Sequence, residues 1–417
     1  MKKNIVLVFL FVIVKVGAQT PAFSKVDSLF EIGRYKIALM ELDKIESPSF
    51  LSNYKTAIIY ESIDNYNKTI EFLEKALVFK ADYQAKLKLA KAYQRIKNTN
   101  KAVEIYEEIV AKDSLNLVLK YQLGKLYLSA KKGDKAIIIF KELIKENPLN
   151  AHYSYQLGIG YALKNDRNRM INSFLDTYAK DATHFNAVLR LATSFNKLKE
   201  IDSTQIFVKK GLELDSNHIA LNKLKVNQLY RDKKYVEAIP FLLKLDAISK
   251  NDTFPTSMLG RTYYNLDSLD KADIYFKKLF SMDGENYKAF TYRGHIASKQ
   301  KKYLIAATYY RMATFIGKDK RDEEYYGLGT VNYELKKPKE AIFYFDKAFS
   351  ENRNNYKALY QVAKLSDDYY KDKSIGYKKY VRFLERFESR DTIMAKFVKK
   401  RILDIKKGYF LRGEKLE

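Results

Sequence analysis

The chain has 417 residues, with 76 Lys and Arg against 50 Asp and Glu, a formal charge of +26, and neither cysteine nor tryptophan. A hydrophobic content of 47%, including 14% aromatic residues that are all Tyr or Phe, argues against disorder. The lack of cysteine leaves the fold to packing alone and rules out disulfides, thiolate metal ligands and a lipid-attachment cysteine.

In chain order, Lys2 and Lys3 precede an apolar run from Ile5 to Val14, and Val16, Gly17 and Ala18 lead to Gln19. This pattern reads as a secretory signal peptide over 1–18, cleaved after Ala18. Its ten apolar residues fall short of the roughly 20 that span a bilayer. Removing Lys2, Lys3 and Lys15 with no acid lowers the formal charge to about +23, so the mature chain is expected to lack an integral span and to stay strongly basic. The remaining excess suits anionic partners, whether acidic proteins, acidic polysaccharide, lipopolysaccharide or nucleic acid; export counts against nucleic acid.

The stretch 117–150 shows the organising unit most cleanly. Leu123, Gly124 and Tyr127 share one helical face, Ala136, Phe140 and Leu143 share another, and Pro148 closes the unit. Gly133 and Asp134 between them are expected to supply the turn residue and the N-cap. The small residue of the first helix recurs, mostly in steps of 34, at Ala57, Ala90, Gly124, Gly158, Ala192, Gly260, Gly294, Gly329 and Ala363, with Val26 and Val226 as larger exceptions. The second helix repeats Ala38, Ala102, Ala136, Ala238, Ala272, Ala306 and Ala341, replaced elsewhere by Thr69, Met170, Thr204 and Ile375. Four residues after each comes a bulky partner, from Leu42 to Phe345, until Lys379 breaks the ladder.

These ladders predict an all-α solenoid over 19–389 as one continuous domain, with units near 19–49, 50–82, 83–116, 117–150, 151–184, 185–218, 219–252, 253–286, 287–320, 322–355 and 356–389. Along it, Met170, Thr177, Thr204 and Gly211 make units five and six the least regular, and Pro240 falls about one turn into a helix, so a hinge between units five and seven is expected. Pro255 and Pro338 are placed at first helical positions. The segment 390–417 is expected to be a capping helix from Thr392 to Lys407, followed by a frayed basic tail.

The order Leu-Gly-x-x-Tyr, then Ala, Phe and a terminal Pro resembles the tetratricopeptide repeat, whose period is about 34 residues. The family's early Trp is missing, and Lys120 occupies its place. The resemblance implies a right-handed superhelix of helix-turn-helix units whose first helices line a concave groove, with groove residues at positions 2, 5, 9, 12 and 13 of each unit. Carried over, these give an aromatic and cationic strip of Lys91, Arg95, Tyr121, Lys125, Tyr155, Lys197, Lys223, Asn227, Arg231, Arg261 and Lys288, suited to an extended acidic or ring-stacking peptide. Asp367 and Asp368 fall at groove positions of unit eleven. A carboxylate clamp built from Lys223, Asn227 and Lys288 is incomplete, because Met258 and Tyr292 take its other two places.

No catalytic constellation, cofactor motif or metal-ligand spacing stands out. Gly158-Ile159-Gly160 lies within the repeat pattern, the four histidines are unpaired in sequence with His184 and His218 read as solvent-facing turn residues, and Glu107-Glu108 and Glu323-Glu324 read as solvated helix faces. The reading is of a non-enzymatic interaction scaffold in a bacterial cell envelope, periplasmic or secreted, that holds a protein segment in its groove. The alternative is a charge-driven binder of anionic polymer.

Overall fold

A computed structural model describes residues 21–317 and 320–416, so the signal-peptide reading of 1–18 lies outside the described residues. The helices come in pairs. In the first of two compact units they are α1 (Pro21–Glu31) with α2 (Tyr35–Asp43), α3 (Phe50–Ser62) with α4 (Tyr66–Phe79), and α5 (Tyr83–Arg95) with α6 (Thr99–Lys112). They continue with α7 (Leu117–Ser129) and α8 (Gly133–Glu146), α9 (Ala151–Leu163) and α10 (Arg167–Lys180), then α11 (Phe185–Leu198). α12 (Ile201–Leu214) contains the boundary, which falls between Phe207 and Val208.

The second unit holds α13 (Ile219–Arg231) with α14 (Tyr235–Ile248), α15 (Thr253–Asn265) with α16 (Leu269–Met282), and α17 (Tyr287–Lys299) with α18 (Tyr303–Ile316). It ends with α19 (Asp322–Glu334) and α20 (Pro338–Glu351), α21 (Tyr356–Tyr369) and α22 (Ser374–Phe387), then α23 (Thr392–Leu411). Successive helices pack on one another from α1 to α11 in the first unit and from α13 to α23 in the second, and first helices of successive repeats also touch, as α7 does α9 and α17 does both α15 and α19. This is an all-α solenoid, with no strand among the described residues.

The two sequence ladders meet inside each repeat. A Cβ added to Gly124 would lie 2.7 Å from the Phe140 ring, one on Gly158 2.5 Å from Phe174, and one on Gly260 2.9 Å from Phe276. The small residue therefore exists so that the bulky residue 16 positions on can lie flat against the first helix. Asn98, Asn116, Asp166 and Asp252 cap their helices by accepting a backbone N–H.

Several local expectations are corrected. The turn within the fourth repeat rests on Lys131, at φ 58°, with Lys132 as N-cap; Gly133 is already helical and Asp134 sits in the first turn. Asp64, Lys97, Asn165, Lys199, Lys233, Asp267, Lys301 and Lys336 take the same left-handed conformation, so that with Lys131 there is one in each of the second to tenth repeats. A side chain there costs about 1–2 kcal/mol. Lys131→Gly is therefore expected to raise stability by about 0.5–1 kcal/mol, after the larger unfolded-state entropy of glycine is set against the relief. A urea midpoint that stays or falls on this substitution contradicts the argument.

Pro255 is the third residue of α15, not the first, and still lies among the amides that have no intrahelical partner. Pro338 does open α20. Pro240 is the sixth residue of α14, on its exposed side, and Val236, whose carbonyl loses its helical donor, is exposed as well. The eleventh repeat keeps the ladder, shifted by one: Gly376 and Tyr380 take the places expected at Ile375 and Lys379, Tyr380 is fully buried, and a Cβ on Gly376 would lie 2.7 Å from Asp367. α23 runs four residues beyond the expected Lys407, and Val398 and Ile405 pack with Phe383 and Phe387 to close the second unit.

Candidate partner-binding groove

In the first unit, Lys91 and Arg95 stand one helical turn apart on the exposed side of α5 and line a cleft of about 660 Å³ with Leu87, Val118, Gln122, Tyr66 and Glu61. Glu61 is already engaged by Lys88 at 2.7 Å. Among the described residues no carboxylate lies within ion-pairing distance of Lys91 or Arg95; the Arg95 guanidinium sits 6.0 Å from the Tyr66 ring centroid. The cleft thus combines an aliphatic floor with two uncompensated cations.

Further along, Lys125 lies 5.1 Å over the Tyr121 ring, and Tyr121 leans edge-on to Phe140 at 6.1 Å. Tyr155 packs on Phe174 at 5.5 Å and on His184 at 4.7 Å. Both tyrosines are half-buried parts of the repeat packing. Lys197 is exposed in the last turn of α11. His184 and His218 are N-caps, whose Nδ1 accepts the amides of Ala187 and Leu221.

The second unit treats its cations differently. Lys223 pairs with Asp252 at 2.5 Å, Lys288 with Glu323 at 2.7 Å, and Lys299 with Asp267 at 3.0 Å, so each of these cations has an acid partner within the chain. Arg231 is 3.7 Å from Asp232, Asn227 is exposed, and Arg261 is half-buried with its guanidinium 5.1 Å from the Tyr230 ring. Lys223 and Lys288 are therefore not free to clamp a carboxylate.

A second cleft of about 460 Å³ opens among α15, α17, α19 and the start of α21, lined by Tyr264, His295, Lys299, Glu323, Tyr326, Thr330 and Lys357. His295 organises it. Its Nε2 donates to Glu323 at 3.0 Å, and its Nδ1 shares a hydrogen bond with the Tyr310 hydroxyl at 2.7 Å. The His295 hydrogen bond, with that of Lys288 behind it, holds the Glu323 carboxyl at about 2, well below the ordinary carboxylate value. Burial pushes the Tyr264 and Tyr326 phenols up, so both remain neutral hydrogen-bonding groups.

Of the two acid pairs read as solvated, Glu108 and Glu323 are exposed as expected, while Glu107 is partly buried and Glu324 departs fully from that reading. Glu324 is fully buried and accepts from Thr291 at 2.5 Å, while Glu107 accepts from Tyr127 at 2.7 Å and Lys135 at 2.8 Å, and Glu108 from Lys86 at 2.7 Å. Asp367 is also buried, held by Arg401 at 2.6 Å, so it contributes no charge to a groove. His295, Tyr264 and Glu323 were missed, although they fall at positions 9, 12 and 2 of their repeats, the places that implied a groove elsewhere.

This architecture defines a protein built from successive two-helix repeats. Models of the tetratricopeptide repeat match residues 97–156, and 257–286 with 325–355, and so support the tetratricopeptide family for the repeat. No curated protein matches the chain significantly. Solved structures similar to it include yeast Tom70 at 14% identity and a TM-score of 0.41, covering 94% of this chain and 96% of that one. The APC/C hetero-tetramer Cut9-Hcn1 is similar at 14% identity and 0.43, over 92% and 89%. PilF of Pseudomonas aeruginosa is similar at 17% identity and 0.40, over 52% and 97%.

Proposed function

We propose that this protein is a non-enzymatic scaffold of a bacterial cell envelope, and that its first unit holds an acidic segment of a partner protein against α5 and α7. Tetratricopeptide-like repeats generally mediate protein–protein interaction, which supports the class. The envelope placement rests on the secretory reading of residues 1–18. The observation that carries the site is the pairing of Lys91 and Arg95, unmatched by any described carboxylate, with the aliphatic Leu87 and Val118 in one cleft. Such a surface suits a segment that presents carboxylates beside an aliphatic side chain.

The test is selection from a random peptide library, followed by anisotropy titrations of the selected peptides. Peptides enriched in Asp or Glu next to Leu, Ile or Val are expected, with Lys91→Glu plus Arg95→Glu weakening them at least about 10-fold. Binding should survive moderate salt. Equal affinity for polyglutamate, with a steep loss in salt, would instead establish charge-driven binding of anionic polymer. Peptides unaffected by the double substitution would place the site elsewhere.

A further inference from the structure

α23 carries six basic residues and a single acid, Asp404, between Thr392 and Leu411. Its inward side is used: Val398 and Ile405 are buried, and Arg401 turns in to Asp367. Lys399 is paired with Glu388, and Lys406 lies 5.9 Å from the Tyr377 ring. Lys396, Lys400 and Lys407 have no partner among the described residues, and at about 100° per residue they fall within an arc of roughly 40° on the outward side.

Large apolar side chains flank that arc. Leu403 and Phe410, 66% and 83% exposed, lie on one side, while Ile393 and Leu411, 83% and 72% exposed, lie on the other. No repeat follows to cover them within the described residues. Three lysines bordered by four exposed apolar side chains give this face the makeup of a helix that lies on a surface.

We propose that the outward face of α23 docks on an anionic lipid surface. The lysines match headgroup phosphates, and their methylene stems let the ammonium groups stay at that level while Ile393, Leu403, Phe410 and Leu411 enter the acyl boundary. A rod with separately protruding side chains buries them more completely in a deformable lipid layer than against a rigid protein surface. A second copy is disfavoured by charge, because a two-fold contact would bring the three lysines of one chain against those of the other. This inference does not rest on the groove of the first unit.

The experiment is co-sedimentation of the full chain with vesicles of phosphatidylcholine alone or with about one-third phosphatidylglycerol. Binding is expected only to the anionic vesicles. Each lysine held at an anionic surface contributes about fivefold to partitioning, so Lys396→Glu, Lys400→Glu and Lys407→Glu together should reduce it at least about 100-fold. The same three reversals at Lys112, Lys141 and Lys145, exposed elsewhere on the chain, should leave most of it. Phe410→Ala with Leu411→Ala should weaken it at unchanged charge, and all variants alter exposed side chains, so their helix content and melting are expected to match the parent. The proposal is overturned if the parent does not sediment with anionic vesicles, if the control triple loses as much as the α23 triple, or if the α23 triple instead dissociates an oligomer in analytical ultracentrifugation.

Discussion

Replacing Gly327 with valine is expected to destabilise the second unit by about 3 kcal/mol and to disturb the cleft around His295. A Cβ at Gly327 would stand 2.5 Å from Tyr310 Cζ, while Gly294 presses the same ring from another helix, where an added Cβ would stand 2.6 Å away. Tyr310 is 2% exposed and so has no free space to enter. Valine's better helix propensity returns only a few tenths of a kcal/mol. Because the Tyr310 hydroxyl bonds His295 Nδ1, and His295 bonds Glu323, a shifted ring should also change the imidazole environment. Urea unfolding and the imidazole nitrogen shifts of His295 check the two parts. Tyr310→Leu in the Gly327→Val background should recover part of the loss, and an unaltered midpoint in Gly327→Val alone would show that the ring is not confined between these glycines.

The second large effect concerns the end of the solenoid. Asp367 is 2% exposed on α21 and is held by Arg401 of α23 through Nε at 2.6 Å and a second nitrogen at 3.1 Å, with the Tyr380 hydroxyl at 3.4 Å. Arg401→Met leaves that carboxylate buried with its main counter-charge gone, a loss of about 3 kcal/mol. The damage should be local, since each repeat touches only its neighbours. Hydrogen exchange is expected to accelerate in α22 and α23 and to stay unchanged in α3 to α8. Adding Asp367→Leu should restore much of the stability, because it removes the stranded charge. Exchange that accelerates equally in α3 to α8 would mean that the chain opens as one cooperative block.

Both effects bear on function through the same logic. Lys288, His295 and Tyr310 come from one repeat and Glu323 from the next, so the second cleft keeps its shape only while those two repeats stay in register. The first cleft draws on α5 and α7 in the same way, and Lys91 and Arg95 acquire a common orientation only from the helix that presents them.

The repeat was legible in the sequence because its core is local. Gly124 and Phe140, or Gly260 and Phe276, meet across one turn, so the small and bulky ladders carry the fold in order along the chain. Composition carried the net charge, and register carried the order of the repeats. What each cation does there was decided only in three dimensions. Lys223 finds Asp252, Lys288 finds Glu323 and Arg401 finds Asp367 across 29 to 35 residues, after packing has set which turn of one repeat faces which turn of the next. Periodicity alone could not separate these paired cations from Lys91 and Arg95, which have no described carboxylate within ion-pairing distance. The one-residue shift that puts Gly376 and Tyr380 on the ladder has the same origin: Gly376 packs on the backbone of Asp367, and close packing, not spacing, chose the residue that fits.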